Sequence, residues 1–164
     1  MFYTIADDLI LYQMLSFIKK FSNFELKLLN YFSNKTKGIF PEFVITINQF
    51  VFFFVNSECY FSTKKYISSI RKDLRGKKVL IIRAERILIN LLFSLFPDVY
   101  VHNIQIDTTS RQKEISLYFF ITEDRGIAIG RNGDYIKAVN YLFENYIKFD
   151  HNDTPLLIKC KNIK

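Results

Sequence analysis

Asp124-Arg125-Gly126-Ile127-Ala128-Ile129-Gly130-Arg131-Asn132-Gly133-Asp134-Tyr135-Ile136-Lys137 is the stretch around which the rest of the chain is organised. The chain has five glycines, and three of them (Gly126, Gly130 and Gly133) fall within it. Glycine lets a main chain turn tightly or approach a ligand closely, so this crowding asks for a local backbone reason. Gly130 and Gly133 bracket a basic residue, Arg131, and a turn-prone one, Asn132. Ahead of them lies a short apolar piece, Ile127-Ala128-Ile129. Behind them Ile136, Val139, Phe143 and Tyr146 recur three or four apart, which predicts a helix over 134–146.

Upstream, Ile115, Leu117, Phe119 and Ile121 alternate with other residues, as on a strand. Tyr100, His102, Ile104 and Ile106 do the same against Asn103, Gln105 and Asp107. With Thr108–Gln112 as the turn, the economical arrangement is a hairpin. Before it, Val79–Arg83 is expected as a short strand. Ala84–Phe96 is expected as a helix, with Ile87, Leu88, Leu91, Leu92 and Leu95 as its apolar stripe and Pro97-Asp98 as its stop. After the glycine stretch a last strand fits either Tyr146–Phe149 or Pro155–Cys160.

From residue 84 onward this gives helix, strand, strand, short helix, Gly-x-x-Gly, helix, strand. That order, with Gly-x-x-Gly between two helical segments, resembles the type II KH domain, an RNA-binding module. Within that class Gly126-Ile-Ala-Ile-Gly-Arg-Asn-Gly133 looks like the Ala-Ile-Gly-(Lys/Arg)-x-Gly loop of the NusA transcription factors. Residues 79–99, a strand ending at Arg83, a leucine-rich helix and a Pro-acidic-aliphatic turn, look like the link from the NusA barrel into its first KH domain. A small-subunit ribosomal protein and the ribosome-assembly GTPase Era carry similar loops. The resemblance covers about half of the chain, and a second, tandem KH domain is not expected in it.

The resemblance implies an α+β fold: a C-terminal type II KH domain at 84–164, with a three-stranded sheet and helices on one face. It implies single-stranded RNA as ligand. Gly130 and Gly133 would let the loop offer backbone N–H groups to phosphates, helped by the positive end of the following helix. Arg131 would supply a cation beside Asn132, Lys137 would reach the next phosphate, and Ile129 and Ile136 would floor the bases. Asp134, at the start of the helix, fits ordinary capping chemistry and works against close phosphate contact.

The N-terminal part is expected to divide at residue 37/38. In 1–37, Thr4 with Asp7 and Ser22 with Glu25 have the spacing of capping boxes. Leu11, Met14, Leu15 and Ile18 share one face, and Leu26, Leu29 and Phe32 another, so a helical hairpin is expected. Asn34–Gly38 is a turn signal. Residues 38–83 are β-rich: Phe40–Phe61 reads as two strands turning at Asn56-Ser57, and the NusA likeness would put a degenerate OB-type barrel here. Thr63–Arg75 reads as a short basic helix followed by Gly76. Its Lys64, Lys65, Arg71, Lys72 and Arg75, with Lys77 and Lys78 beyond, form either a solvated face or a phosphate-contacting surface.

A chain of 164 residues that is 49% hydrophobic can bury a core, and a net charge of +7 favours an acidic partner such as nucleic acid. Cys59 and Cys160 have no metal-ligand spacing and fit a reducing compartment. The abundance of Phe, Ile, Asn, Lys and Tyr suggests an AT-rich genome, hence an organelle such as a plastid (stroma) or a reduced bacterium's cytoplasm. Asp7 and Asp8 speak against a targeting segment, and the apolar run 43–55 is too short to span a bilayer. Neither His102 nor His151 has a catalytic or ligating companion at a useful spacing, and no Walker, zinc or dinucleotide motif occurs. No enzyme activity, cofactor or metal is expected. The partners expected beside RNA are a bacterial-type RNA polymerase or, alternatively, the ribosome; a third reading is a protein-binding scaffold with an inactive KH fold.

Overall fold

The computed structural model describes residues 9–107, 113–150 and 156–163. Thr4, Asp7, Asp8, the Thr108–Gln112 turn, His151 and Pro155 lie outside the described residues. In chain order the elements are β1 (Leu15–Phe17), α1 (Asn23–Lys35), β2 (Phe43–Ile47), β3 (Phe50–Val55), α2 (Tyr60–Lys64), α3 (Ile67–Asp73) and β4 (Lys78–Arg83). They continue with α4 (Leu88–Ser94), β5 (Asn103–Asp107), β6 (Lys113–Phe119), α5 (Thr122–Ile129), α6 (Asp134–Asn145), β7 (Ile147–Phe149) and β8 (Leu156–Asn162). The fold is mixed α+β. Its residues gather into two units: Lys19–Glu85, and Met1–Ile18 together with Arg86–Lys164.

In the central unit, α1 starts at the expected capping box: Ser22 Oγ accepts from Glu25 N at 3.1 Å, and Glu25 Oε1 accepts from Ser22 N at 3.0 Å. Leu28 and Phe32 point into the core, where the Phe32 and Phe53 rings stack at 4.6 Å. Strands β2 and β3 pair antiparallel, from Phe43↔Phe54 to Ile47↔Phe50. The hairpin therefore turns at Asn48-Gln49, and not at the expected Asn56-Ser57. Asn48 adopts φ 53°, the left-handed conformation that asparagine tolerates better than most residues. Asn56 instead caps a 3-10 turn through its side chain, which accepts from Glu58 N at 2.9 Å.

Strand β4 lies parallel to β3 in the order β2-β3-β4, reached by a crossover through α2 and α3. The expected OB-type barrel is thus absent, because a three-stranded sheet with a parallel pair does not close on itself. Every residue of β3 is buried, which is why its sequence is an unbroken Phe/Val run rather than an alternation. The single basic helix expected over 63–75 is two short helices broken at Lys65-Tyr66, and Gly76 ends the second region with φ 83°.

The other unit is built on the sheet β5-β6-β8, with β5 antiparallel and β8 parallel to the central β6. Ile104, Ile106, Ile115, Leu117, Phe119, Ile158 and Cys160 supply buried positions along it. Helices α5 and α6 pack on the sheet, α6 burying Tyr135, Ala138, Val139, Leu142 and Phe143. The hydroxyl of Tyr135 donates to the Leu95 carbonyl just past α4, and its ring meets Phe96 edge-on. The two candidates for the last strand are both strands: β8 completes this sheet, and β7 pairs with β1.

That second pairing corrects the expected helical hairpin. Leu15–Phe17 is a strand, matched Leu15↔Phe149 and Phe17↔Ile147, and Leu15 N also donates to Arg86 O at 2.8 Å. Burial alternates from Leu11 through Ile18 with period two. The Leu11, Met14, Leu15, Ile18 spacing suits a helix, but the tertiary partner strand decides the conformation. The two units part at 18/19 and 85/86, whereas turn and element signals in the sequence predict divisions at 37/38 and 83/84. The helix expected over 84–96 is shorter, because Ala84 N still donates to Val55 O at 2.7 Å and so extends the central unit's ladder.

Candidate nucleic-acid interface

The glycine stretch forms the corner between α5 and α6. Helix α5 ends at Gly130, whose φ 82° and ψ 172° belong to glycine alone. A Cβ there would lie 2.1 Å from Asp134 Oδ1 and 2.7 Å from Tyr135 N, so the chain folds hard against the start of α6 at this point. Asn132 (φ 55°) and Gly133 (φ 73°) are both left-handed, and around Gly133 there is room. The two glycines thus have different reasons: Gly130 makes way for a helix, whereas Gly133 supplies a turn.

The hydrogen bonds revise how such a corner would meet a phosphate. Gly130 N donates to Gly126 O at 2.9 Å, Gly133 N donates to Gly130 O at 3.1 Å, and Asp134 N donates to Arg131 O. The two glycine amides expected to face a ligand are therefore turned inward. What projects is side chain: Arg131 and Asn132 are exposed at the tip. Lys137, one turn into α6, is also exposed, and its Nζ donates back to Asn132 O at 3.3 Å. Gly133 has no side chain with which to cap α6, and Asp134 in its first turn offsets the positive end of the helix, so the charge at the corner comes from the two cations. Ile129 and Ile136, the expected apolar floor, are half-buried beside the corner. The structure thus brings Ile129, Gly130, Arg131, Asn132, Gly133, Ile136 and Lys137 together.

The same unit carries a feature that the sequence reading passed over. Tyr100 and Phe120 stack with their rings 11° from parallel, and His102 lies 3.9 Å from Phe120, centroid to centroid. His102, considered above as a histidine without a catalytic companion, is a member of this aromatic group. The available signal was the Phe119-Phe120-Ile121 run at the end of β6, where alternation stops: Phe119 is buried, while Phe120 is 60% exposed.

In the central unit the basic cluster is exposed, and most of its side chains rest on neighbouring rings or backbone. Arg71 donates to Val79 O through Nε (3.2 Å) and a second guanidinium nitrogen (3.0 Å). Lys64, Lys65, Lys77 and Lys78 lie over the rings of Tyr60, Tyr66, Phe24 and Phe50, at 5.5, 5.3, 5.7 and 5.4 Å. Cys160 is pushed up to about 12 by burial against the pull of Arg125, so its thiol stays protonated and unreactive near neutral pH. Among the described residues no group of three or more His, Cys, Asp or Glu is arranged to hold a metal ion, and no helix is long and apolar enough to cross a membrane.

No family model matches the chain, and no curated protein matches it. Among solved structures the fold is similar to that of APE1850, with a TM-score of 0.59 and 20% identity over 85% of this chain and 99% of that one. At that identity the likeness is one of fold.

Proposed function

We propose that this chain is a single-stranded RNA-binding protein whose unit of residues 86–164 is a type II KH module. One observation carries the proposal: the Gly130-Arg131-Asn132-Gly133 corner, with an exposed cation at its tip, joins two helices packed on a mixed sheet. The element order around it supports the same reading: β5, β6, α5, α6, β7 and β8 follow a leading α4, β7 pairs outside this sheet, and β8 runs parallel to β6. Arg131 pairs with a phosphodiester as a charge-assisted donor, Asn132 adds a second polar contact, and Lys137 extends the positive track. Ile129 and Ile136 offer apolar surface to the bases. This is recognition by binding, with no reaction step assigned to any residue.

By its loop and the segment leading into α4, we place the protein beside the NusA factors, contacting nascent RNA at a bacterial-type RNA polymerase. A short loop of this kind grips about four nucleotides weakly, so the polymerase supplies the remaining affinity. Affinity purification followed by crosslinking and sequencing of bound RNA tests both statements. Polymerase subunits and nascent transcripts are expected. Ribosomal subunits and ribosomal RNA in their place would move the module to the ribosome. Unchanged RNA affinity in the double variant Arg131→Asp, Asn132→Asp would take the RNA off this corner, and no RNA binding by the parent would leave a scaffold that binds protein.

A further inference from the structure

Beyond the glycine corner, the unit has a second surface with the chemistry of a single-stranded nucleic-acid site. A cavity of about 1030 Å³ is lined by His102, Asn103, Gln105, Tyr118, Arg125 and Lys161, and continues to Asn162 and Ile163. Its floor follows from the strand register: Asn103 stands opposite Tyr118, and Tyr118 opposite Lys161, so an amide, a phenol and an ammonium form one row across β5, β6 and β8. His102 N donates to Tyr118 O at 2.8 Å, which carries the β5–β6 ladder to the mouth. There His102 joins the cavity to the aromatic pair, Tyr100 (58% exposed) and Phe120 (60% exposed), with Tyr100 Oη 3.4 Å from His102 Nδ1.

Each part suits one feature of an unpaired nucleotide. Exposed aromatic faces take bases by stacking, whatever their sequence. Three amide side chains, Asn103, Gln105 and Asn162, carry donors and acceptors together, as base edges do. Arg125, anchored by its Nε to Cys160 O at 3.2 Å, and Lys161 supply positive charge. Among the described residues no carboxylate lines the cavity. Asp124 accepts from Tyr100 N at 3.4 Å, beside the aromatic pair.

We infer that Tyr100, His102 and Phe120, with the cavity bounded by Asn103, Tyr118, Arg125 and Lys161, form a second RNA contact that stacks unpaired bases. This deepens the function proposed above and rests on it, because the same strand is taken to engage the glycine corner. The two contacts differ in what they ask of the ligand. The corner is filled by about four nucleotides, so a strand that also covers the aromatic surface while held at the corner must be longer.

The test is fluorescence anisotropy with labelled single-stranded RNA of about four and about ten nucleotides. The double variant Tyr100→Ala, Phe120→Ala is expected to weaken the longer RNA about tenfold or more and to leave the shorter one unchanged. Phe120→Tyr, which keeps an aromatic face, is expected to bind both as the parent does. Equal affinity for the longer RNA in parent and Tyr100→Ala, Phe120→Ala would overturn the inference. Loss in that variant with none in Arg131→Asp, Asn132→Asp would uphold the aromatic contact and sink the glycine corner, and the converse would do the reverse. Absence of binding to either RNA by the parent overturns both.

Discussion

The Asn140 side chain pairs with the backbone of Ile158 as a neighbouring strand would, Oδ1 accepting from Ile158 N at 2.8 Å and Nδ2 donating to Ile158 O at 3.1 Å. Strand β8 lies at the edge of its sheet, where backbone groups otherwise lack partners. One amide side chain on α6 satisfies both groups of this residue and fixes the helix against the strand. Asn140→Leu removes both bonds and leaves a half-buried N–H and C=O unmatched. We expect a loss of about 2–3 kcal/mol in urea unfolding, together with faster hydrogen exchange at the Ile158 amide. Exchange at Ile158 as slow as in the parent would contradict this role.

Glu25 plays a comparable part in the central unit. Its Oε2 accepts from Thr46 N at 2.8 Å and from Thr46 Oγ1 at 3.1 Å, while Oε1 lies 3.2 Å from Lys19 Nζ. Burial by itself raises its pKa, but the Ser22 and Thr46 amides and Lys19 outweigh it and hold the carboxyl below its ordinary 4.5. A lowered folded-state pKa adds stability that is present above the unfolded value and is lost as pH falls through the folded one. Glu25→Gln is therefore expected to be less stable than the parent at neutral pH, and the gap should narrow below about pH 4. Glu25→Ala should cost about 3 kcal/mol at pH 7, since it strands Lys19 and the Thr46 amide. Urea titrations across pH 3–7 measure both.

The legible parts of the chain were those governed by local rules. Ser22 and Glu25 announced the start of α1, Gly76 ended the region of α3, and alternation around Ile104 and Leu117 gave β5 and β6. The illegible parts depended on distant partners. Nothing near Leu15-Ser16-Phe17 shows that Ile147–Phe149 will pair with it, so a helical spacing looked equally good. The Phe50–Val55 run is equally compatible with antiparallel and parallel neighbours, and it has one of each. At the glycine corner the residue set was readable, because left-handed turns need glycine or asparagine. The direction of the amides was not, since it follows from how closely α6 packs over Gly130.

That packing separates the two glycines experimentally. Gly130→Ala puts a methyl group into backbone and side-chain atoms of Asp134 and Tyr135 at a positive φ, so it should cost more than about 3 kcal/mol. Gly133→Ala meets only Lys137 Cε at 3.7 Å and carries the left-handed penalty alone, about 1–2 kcal/mol. Chemical denaturation of the two variants gives the order directly. Equal losses would mean that α6 gives way around residue 130.

Arg131 offers the most direct measurement of phosphate contact. It is exposed at the tip of the corner and flanked by a left-handed Asn132, so truncation removes charge while leaving the backbone turn in place. A cation that neutralises one phosphate of a single strand releases counterions, and log K then falls with log salt by about 0.7 per contact. Arg131→Ala is expected to reduce the steepness of that salt dependence by about 0.7 and to weaken RNA of any sequence alike, because phosphates carry no sequence information. Lys137→Met should lower the slope by a similar amount and also loosen the corner, since the Nζ bond to Asn132 O is lost with the charge. An Arg131→Ala variant with the parent's salt dependence, whatever its affinity, would show that the guanidinium does not sit on the phosphate backbone.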